Sequence, residues 1–183
     1  MTTECPILIG IFDGFSWIRC EGKGSFLNSP TMKAFGDERI GAGERCVVVD
    51  LGACTGMDST FMGTLAGMAA RVSAQDGGML QIADSGSRNR RSLEDLGLDF
   101  LMEIDPPSAR WRGNVDSIRA KLVPPAQPNV PGSVQRAQHV LEAHQVLSDA
   151  NERNAQEFSN VVKMLENELA EKEQRGKSLK DQP

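Results

Sequence analysis

Val49-Asp50-Leu51-Gly52-Ala53-Cys54-Thr55-Gly56-Met57-Asp58-Ser59-Thr60-Phe61-Met62-Gly63 joins an apolar run to an amphipathic one. Upstream, Cys46-Val47-Val48-Val49-Asp50-Leu51 is short and apolar until its end, the pattern of a central strand covered on at least one face, and its close at Asp50 leads into a loop. Downstream, from Asp58 to about Gln75, apolar residues recur at Phe61, Met62, Leu65, Met68, Ala69 and Val72, the three-and-four spacing of an amphipathic helix that Gly77-Gly78 stops. Asp58 fits the N-cap, accepting a hydrogen bond from the backbone N–H of Thr60 or Phe61, which sets the Ser59 hydroxyl on the first turn, facing out. The helix dipole and free N–H groups favour a phosphate there, while Asp58 beside it adds like-charge repulsion. The same Asp-Ser-Thr run also serves as a plain helix cap, and spacing alone does not decide between the two.

Working outward, residues 7–20 hold two β-rich runs around Asp13-Gly14, which fits a two-residue type I′ hairpin turn. After a Gly-rich turn around Gly22 and Gly24, Asn28-Ser29-Pro30 reads as a polar cap with proline in the first turn of a helix that ends by Gly41 to Gly43. Met79–Ala83 reads as a strand, Ser87–Leu96 as a charged helix ended by Gly97, and Phe100–Ile104 as a last short strand before Pro106-Pro107. The order β-β-α-β-α-β-α-β requires parallel neighbours, with the intervening helices on one face unless the winding reverses.

Six prolines lie between Pro106 and Gly132, with one short helix around Ser117 to Leu122, so this interval reads as a linker. Residues 134–174 contain neither Gly nor Pro and support one continuous helix of about 60 Å. Val140, His144, Leu147, Asn151, Asn154, Phe158, Val161, Leu165 and Glu168 alternate by four and three, the heptad seam of a coiled coil, apolar near its ends and polar in its middle. Such a stripe self-associates or takes a partner helix. The expected divisions are a domain at 1–105, a Pro-rich linker at 106–132, a helical or coiled-coil tail at 133–175 and a disordered terminus at 176–183.

The strand ending Val49-Asp50-Leu51, the short loop and Met57-Asp58-Ser59-Thr60-Phe61-Met62-Gly63 together closely resemble the signature of the STAS domain of anti-sigma factor antagonists. The resemblance spans about residues 5–105 and includes Gly22-x-Gly24-Ser25-Phe26, a segment some members show before the first helix. It implies an α/β fold of STAS type: a mixed sheet with an N-terminal hairpin and covering helices, here followed by the long C-terminal helix or coiled coil. It further implies that Ser59 is a phosphorylation site and that Asp58, Ser59, Thr60, Phe61, Met62 and Gly63 meet a partner; Ser25, Asp84, Ser85 and Arg88 are the candidates for secondary contacts. The implied partners are a serine-kinase anti-sigma factor, bound in the dephosphorylated state, and a PP2C-type serine phosphatase that resets the switch. Two features depart from the simplest members: Phe61-Met62-Gly63 adds apolar bulk where Gly and Leu are common, and the tail is extra. The competing reading is a constitutive STAS scaffold, in a lipid-transport ABC system or a large signalling complex, with the Ser59 helix docked permanently.

The chain of 183 residues carries 25 acidic and 20 basic side chains, a net charge of -5 that argues against a nucleic-acid or anionic-membrane surface as main partner. A basic, apolar leader and any run of 18 or more apolar residues are both missing, so a cytoplasmic location is expected. Cys5, Cys20, Cys46 and Cys54 lack CxxC spacing and His139 and His144 lie in the tail, so free thiols and no metal site are expected. Without GxGxxG, P-loop or HExxH motifs, and with no histidine in the α/β part, a non-enzymatic module without cofactor is expected. Asp84-Ser85-Gly86-Ser87 sits where an open α/β sheet cradles a nucleotide phosphate, but also reads as a turn and cap. Arg88, Arg90 and Arg91 form a small basic cluster or a solvated helix face.

Overall fold

In the computed structural model, which describes residues 7–126 and 130–182, the first two apolar runs pair antiparallel as β1 (Ile7–Phe12) and β2 (Phe15–Gly24). The two-residue turn is not type I′: Gly14 has φ 84° while Asp13 stays out of the left-handed region, so the glycine alone turns the chain. There follow α1 (Ser29–Gly41), β3 (Cys46–Met57), α2 (Ser59–Ser73), β4 (Met79–Ala83), α3 (Gly86–Asp95) and β5 (Glu103–Ile104). The sheet order is β1-β2-β3-β4-β5, and every pair from β2 onward is parallel. The last strand is shorter than expected, because Leu98–Phe100 forms a 3-10 turn that buries Leu98 and leaves Phe100 89% exposed.

β3 does not close at Asp50 into a loop. It runs on to Met57 because the glycine-rich end of β2, expected as a turn, stays extended and supplies partners, pairing Glu21 with Ala53, Gly22 with Cys54 and Gly24 with Met57 through two register shifts. Its central residues alternate between two buried faces. Val47, Val49 and Leu51 join Ile18, Leu80 and Ile82 under Met32 and Phe35 of α1 and Phe61, Leu65 and Met68 of α2. Val48 joins Trp17 and Ala83 on the opposite face, which Trp111 and Ile118 cover.

That second cover corrects the linker expected at 106–132. Trp111 packs edge-to-face on Trp17 at 5.5 Å and its indole N–H donates to Gln81 at 2.8 Å. Ile118 is buried on α4 (Val115–Ala120), and Val123 exchanges backbone bonds with Ile9 along the β1 edge. Prolines at both ends of the segment leave its middle free to bury two large apolar side chains, and that burial outweighs the loop-like composition.

The tail is also not one helix. α5 (Ser133–Ala150) and α6 (Glu152–Lys180) are separated by Asn151, whose backbone is extended (φ -165°, ψ 167°) and whose side chain caps α6 by accepting from Asn154 N at 2.8 Å. Asparagine is among the best capping residues, so the chain breaks here without Gly or Pro. The helices fold back on one another, with His144 edge-on to Phe158 at 5.8 Å, and α5 lies along α2. The terminus expected to be disordered continues α6 as far as Lys180. No helix among the described residues is long and apolar enough to cross a membrane.

Candidate functional site

Asp58 organises the junction of β3 and α2 with both carboxylate oxygens. Oδ1 accepts from Phe61 N at 2.8 Å, capping α2, while Oδ2 accepts from Phe26 N at 2.8 Å and pins the loop after β2. The Asp58 N–H in turn donates to Gly24 O at 2.9 Å. Ser25 lies in the pinned loop, its N–H donating to Asn28 Oδ1 at 2.8 Å and its hydroxyl accepting from Leu27 N at 3.2 Å. Among the contiguous residues 58–63 expected to face a partner, the helix divides the set. Phe61 is fully buried beneath Gly24, where a Cβ would stand 2.8 Å from its ring, and Thr60 is buried with it. One residue per 100° of helix turns Phe61 inward with Leu65, so it adds its bulk to the core and not to a docking surface. Asp58, Ser59 and Met62 are half-buried, and Gly63 is buried.

What lies over this helix end is the chain's own α5, so Ser59 does not face open solvent as the cap geometry alone implied. Ser59 Oγ is 2.9 Å from His144 Nε2, and His144 Nδ1 is 2.7 Å from Val140 O. A carbonyl only accepts, so Nδ1 carries the proton, and in the neutral ring Nε2 accepts from the serine hydroxyl. At Gly63 the backbones nearly touch: a Cβ there would stand 2.2 Å from Ala143 O. His139 Nε2 is 2.8 Å from Ser29 Oγ on α1 and 3.5 Å from Thr64 Oγ1 on α2. Burial, with Lys33 nearby, holds the His139 imidazole below its ordinary pKa. Asn151 and Asn154 both donate from their side-chain amides to Leu96 O, at 3.1 and 2.8 Å, fastening the helix pair beyond α3. His139 and His144 are the residues at this site that sequence reasoning did not bring to it: two histidines in a polar helix carry no spacing signal until the helix is seen to fold back.

Asp84, Ser85 and Arg88 lie at the other strand ends and bond elsewhere. Asp84 takes a left-handed φ of 54° and accepts from Arg119 at 3.0 Å. Ser85 caps nothing; its hydroxyl and N–H both donate to the Asp105 carboxylate. Two carboxylates thus occupy what the sequence offered as a phosphate cradle. Arg88 donates to Thr55 O at 3.3 Å. Among the described residues, none of the three bonds to Asp58 or Ser59.

Asp50 is the most deeply buried charge. It accepts from Arg119 Nε and one of its NH groups, from Arg19 at 2.9 Å, from Gly52 N and from the Trp17 indole. Burial pushes its pKa up, but the bonds from Arg119, Gly52 and Arg19 outweigh burial and hold it below the ordinary carboxylate value. Cys20, Cys46 and Cys54 are free, and Cys5 lies outside the described residues. Cys20 and Cys54 lie side by side, and the interaction between the two thiols holds Cys54 below its ordinary pKa and pushes Cys20 up, with burial adding to the rise at Cys20. No group of three or more His, Cys, Asp or Glu side chains able to hold a metal occurs among the described residues.

A sequence model of the STAS domain matches residues 7–110. Among solved structures, the chain is similar to the anti-sigma factor antagonist SpoIIAA in its unphosphorylated form, at 18% identity over 61% of this chain and 96% of that one, with a TM-score of 0.47. It is similar to the Bacillus cell fate determinant SpoIIAA in the phosphorylated form, at 17% identity over 62% and 99%, with a TM-score of 0.48. It is also similar to an anti-sigma factor antagonist from Mycobacterium paratuberculosis, at 18% identity over 62% and 92%, with a TM-score of 0.48. The search of curated proteins gives no match.

Proposed function

This chain belongs to the STAS domain family, and from that premise we propose a non-enzymatic, cytoplasmic regulatory module of the anti-sigma factor antagonist kind, switched by phosphorylation of Ser59. The observation that carries the reading is the placement of the Ser59 hydroxyl on the first turn of α2, directly after its Asp58 cap, within the segment that resembles the family's phospho-acceptor motif. The partners are a serine-kinase anti-sigma factor and a PP2C-type phosphatase. A phosphate adds about 1.5 to 2 negative charges beside Asp58. Where a partner docks over this helix end, burying that unpaired charge is penalised by several kcal/mol, about a hundredfold or more in affinity. Calorimetry with the anti-sigma factor is the test. Ser59→Ala should bind constitutively and Ser59→Asp should bind more weakly than the parent. Equal affinity of phosphorylated and unphosphorylated protein, or phosphate mapping to Ser25 or Ser85, removes the switch.

A second reading has its own observation. The helix bearing Ser59 is already covered, by α5 of the same chain. A STAS domain used as a constitutive scaffold, in a lipid-transport ABC system or a large signalling complex, keeps this helix docked permanently. Neighbouring genes for a serine kinase and PP2C phosphatase favour the switch, and genes for a permease and a lipid-binding protein favour the scaffold.

A further inference from the structure

We infer that the α2 face beside Ser59 is a helix-receiving surface, held in cis by α5 as an exchangeable cover, and that a partner docking there does so with a helix of the same pattern. The inference rests on the reading of this face as a docking surface. The pattern is set by the seated helix. A small residue must stand where Ala143 crosses Gly63, since the backbones approach too closely for a larger one. An aliphatic residue must follow one turn later, where Leu147 is fully buried in the main core, and a polar side chain must precede it to meet Ser59, as His144 does.

Four features make α5 a cover and not a fixed layer. Among the described residues every hydrogen bond between the α5–α6 pair and the domain involves a side chain, and none is a backbone ladder bond. The contact mixes apolar residues, Leu147 with Val146 and Phe158, with the small Ala143 and the polar His139 and His144, and the two histidines exchange their bonds to Ser29 and Ser59 for bonds to water on opening. Asn154 Oδ1 is buried there without a hydrogen-bond partner, which penalises the docked state. The pair joins the domain through a stretch rich in proline (Pro124, Pro125, Pro128, Pro131), with no strand or helix carrying the docked geometry across the described part of it. A phosphate on Ser59 would replace the hydroxyl proton that His144 Nε2 accepts and would add bulk and charge inside this half-buried contact, so modification and covering are coupled at this residue.

Hydrogen–deuterium exchange of the full-length protein tests the cover directly. Amides of α5 should exchange about a hundredfold faster than those of Val47 to Leu51, because the helix pair opens while the sheet stays folded. A single common rate for α5 and β3 overturns the inference. Full-length Ser59→Cys, labelled with iodoacetamide and mapped by mass spectrometry, reads the masking itself. Adding Ala143→Glu should raise labelling at position 59 about tenfold or more, as the uncovered fraction grows, with β3 exchange unchanged. Unchanged labelling, or loss of protection in β3, overturns the inference. Neither measurement uses a partner, so failure here leaves the Ser59 docking reading to its own calorimetric test, and failure of that test leaves the cover standing.

Discussion

Asp50 shows how one residue ties together segments that the chain presents far apart. Its carboxylate is fully buried yet ionised, because guanidinium groups from β2 and from α4 converge on it, Arg119 with two bonds. Arg119 is thereby the clasp that fastens the second cover to the sheet. Removing it leaves a buried charge with Arg19 as its remaining ionic partner, so Arg119→Ala should destabilise the fold by about 2–4 kcal/mol. The pH dependence follows from the depressed pKa of Asp50. In the parent, the stabilisation is fully present above the unfolded carboxylate value near about 4 and is lost as pH falls through the lower folded value. In the variant the folded pKa is higher, so the two proteins differ most at neutral pH and converge on acidification. Urea unfolding at neutral pH and in the carboxylate range measures both; a gap that widens in acid contradicts the assignment.

At the scale of elements, the docking of α5 depends on a neutral imidazole. His139 is buried between α1 and α2, touching Ser29 and Thr64, with Lys33 on α1, Glu142 on α5 and Asp58 at the α2 cap around it. Its pKa is lowered in the docked state, first by burial and then by Lys33, with Glu142 and Asp58 opposing. A lowered histidine pKa means that docking is fully supported above the free value near about 6.5 and weakens as pH falls below it. Exchange of α5 amides, corrected for intrinsic rates, should therefore accelerate between neutral pH and about pH 5.5. His139→Gln should flatten that dependence, and an unaltered profile in the variant rejects the role. The elements themselves were largely legible in the sequence: the apolar runs mark the start of β3 and β4 and the three-and-four spacing marks α2, while turn and cap residues, Asp13-Gly14 for the hairpin and Asn28-Ser29-Pro30 for α1, mark the rest. Illegible was whatever needs a partner to be seen. The second half of β3 extends only because β2 does, Trp111 and Ile118 look like linker residues until a sheet face lies beneath them, and Asn151 reads equally as a polar seam position or as the cap that breaks a helix. The Asp58–Ser59 junction was legible as a motif, but its cover was not, since the contact of His144 with Ser59 joins residues 85 apart in the chain.

For the whole molecule, the heptad seam changes meaning once the tail folds back. As a continuous helix it presents a stripe that calls for a second chain. In the structure His144, Leu147 and Asn154 are buried, and Phe158 packs against the main core, so most of the seam is satisfied within one chain. α5 has 18 residues and α6 has 29, so α6 outruns its neighbour by about 16 Å at 1.5 Å per residue. The seam beyond Phe158 is sparse: Val161 is 37% exposed, Leu165 is half-buried and Glu168 is charged. A coiled coil needs apolar a and d positions sustained over several heptads, and one or two leftover residues do not supply them. The full-length protein should accordingly be a monomer by light scattering at micromolar concentrations, the range in which weakly associating surfaces stay apart. A stable dimer contradicts this, and exchange would say how. If α5 amides in the dimer are as protected as in a docked monomer, the helix pair has swapped between copies through the Pro-rich connection and the α2 face still receives a helix. If they are unprotected, the tail associates through α6 alone and the α2 face stands open.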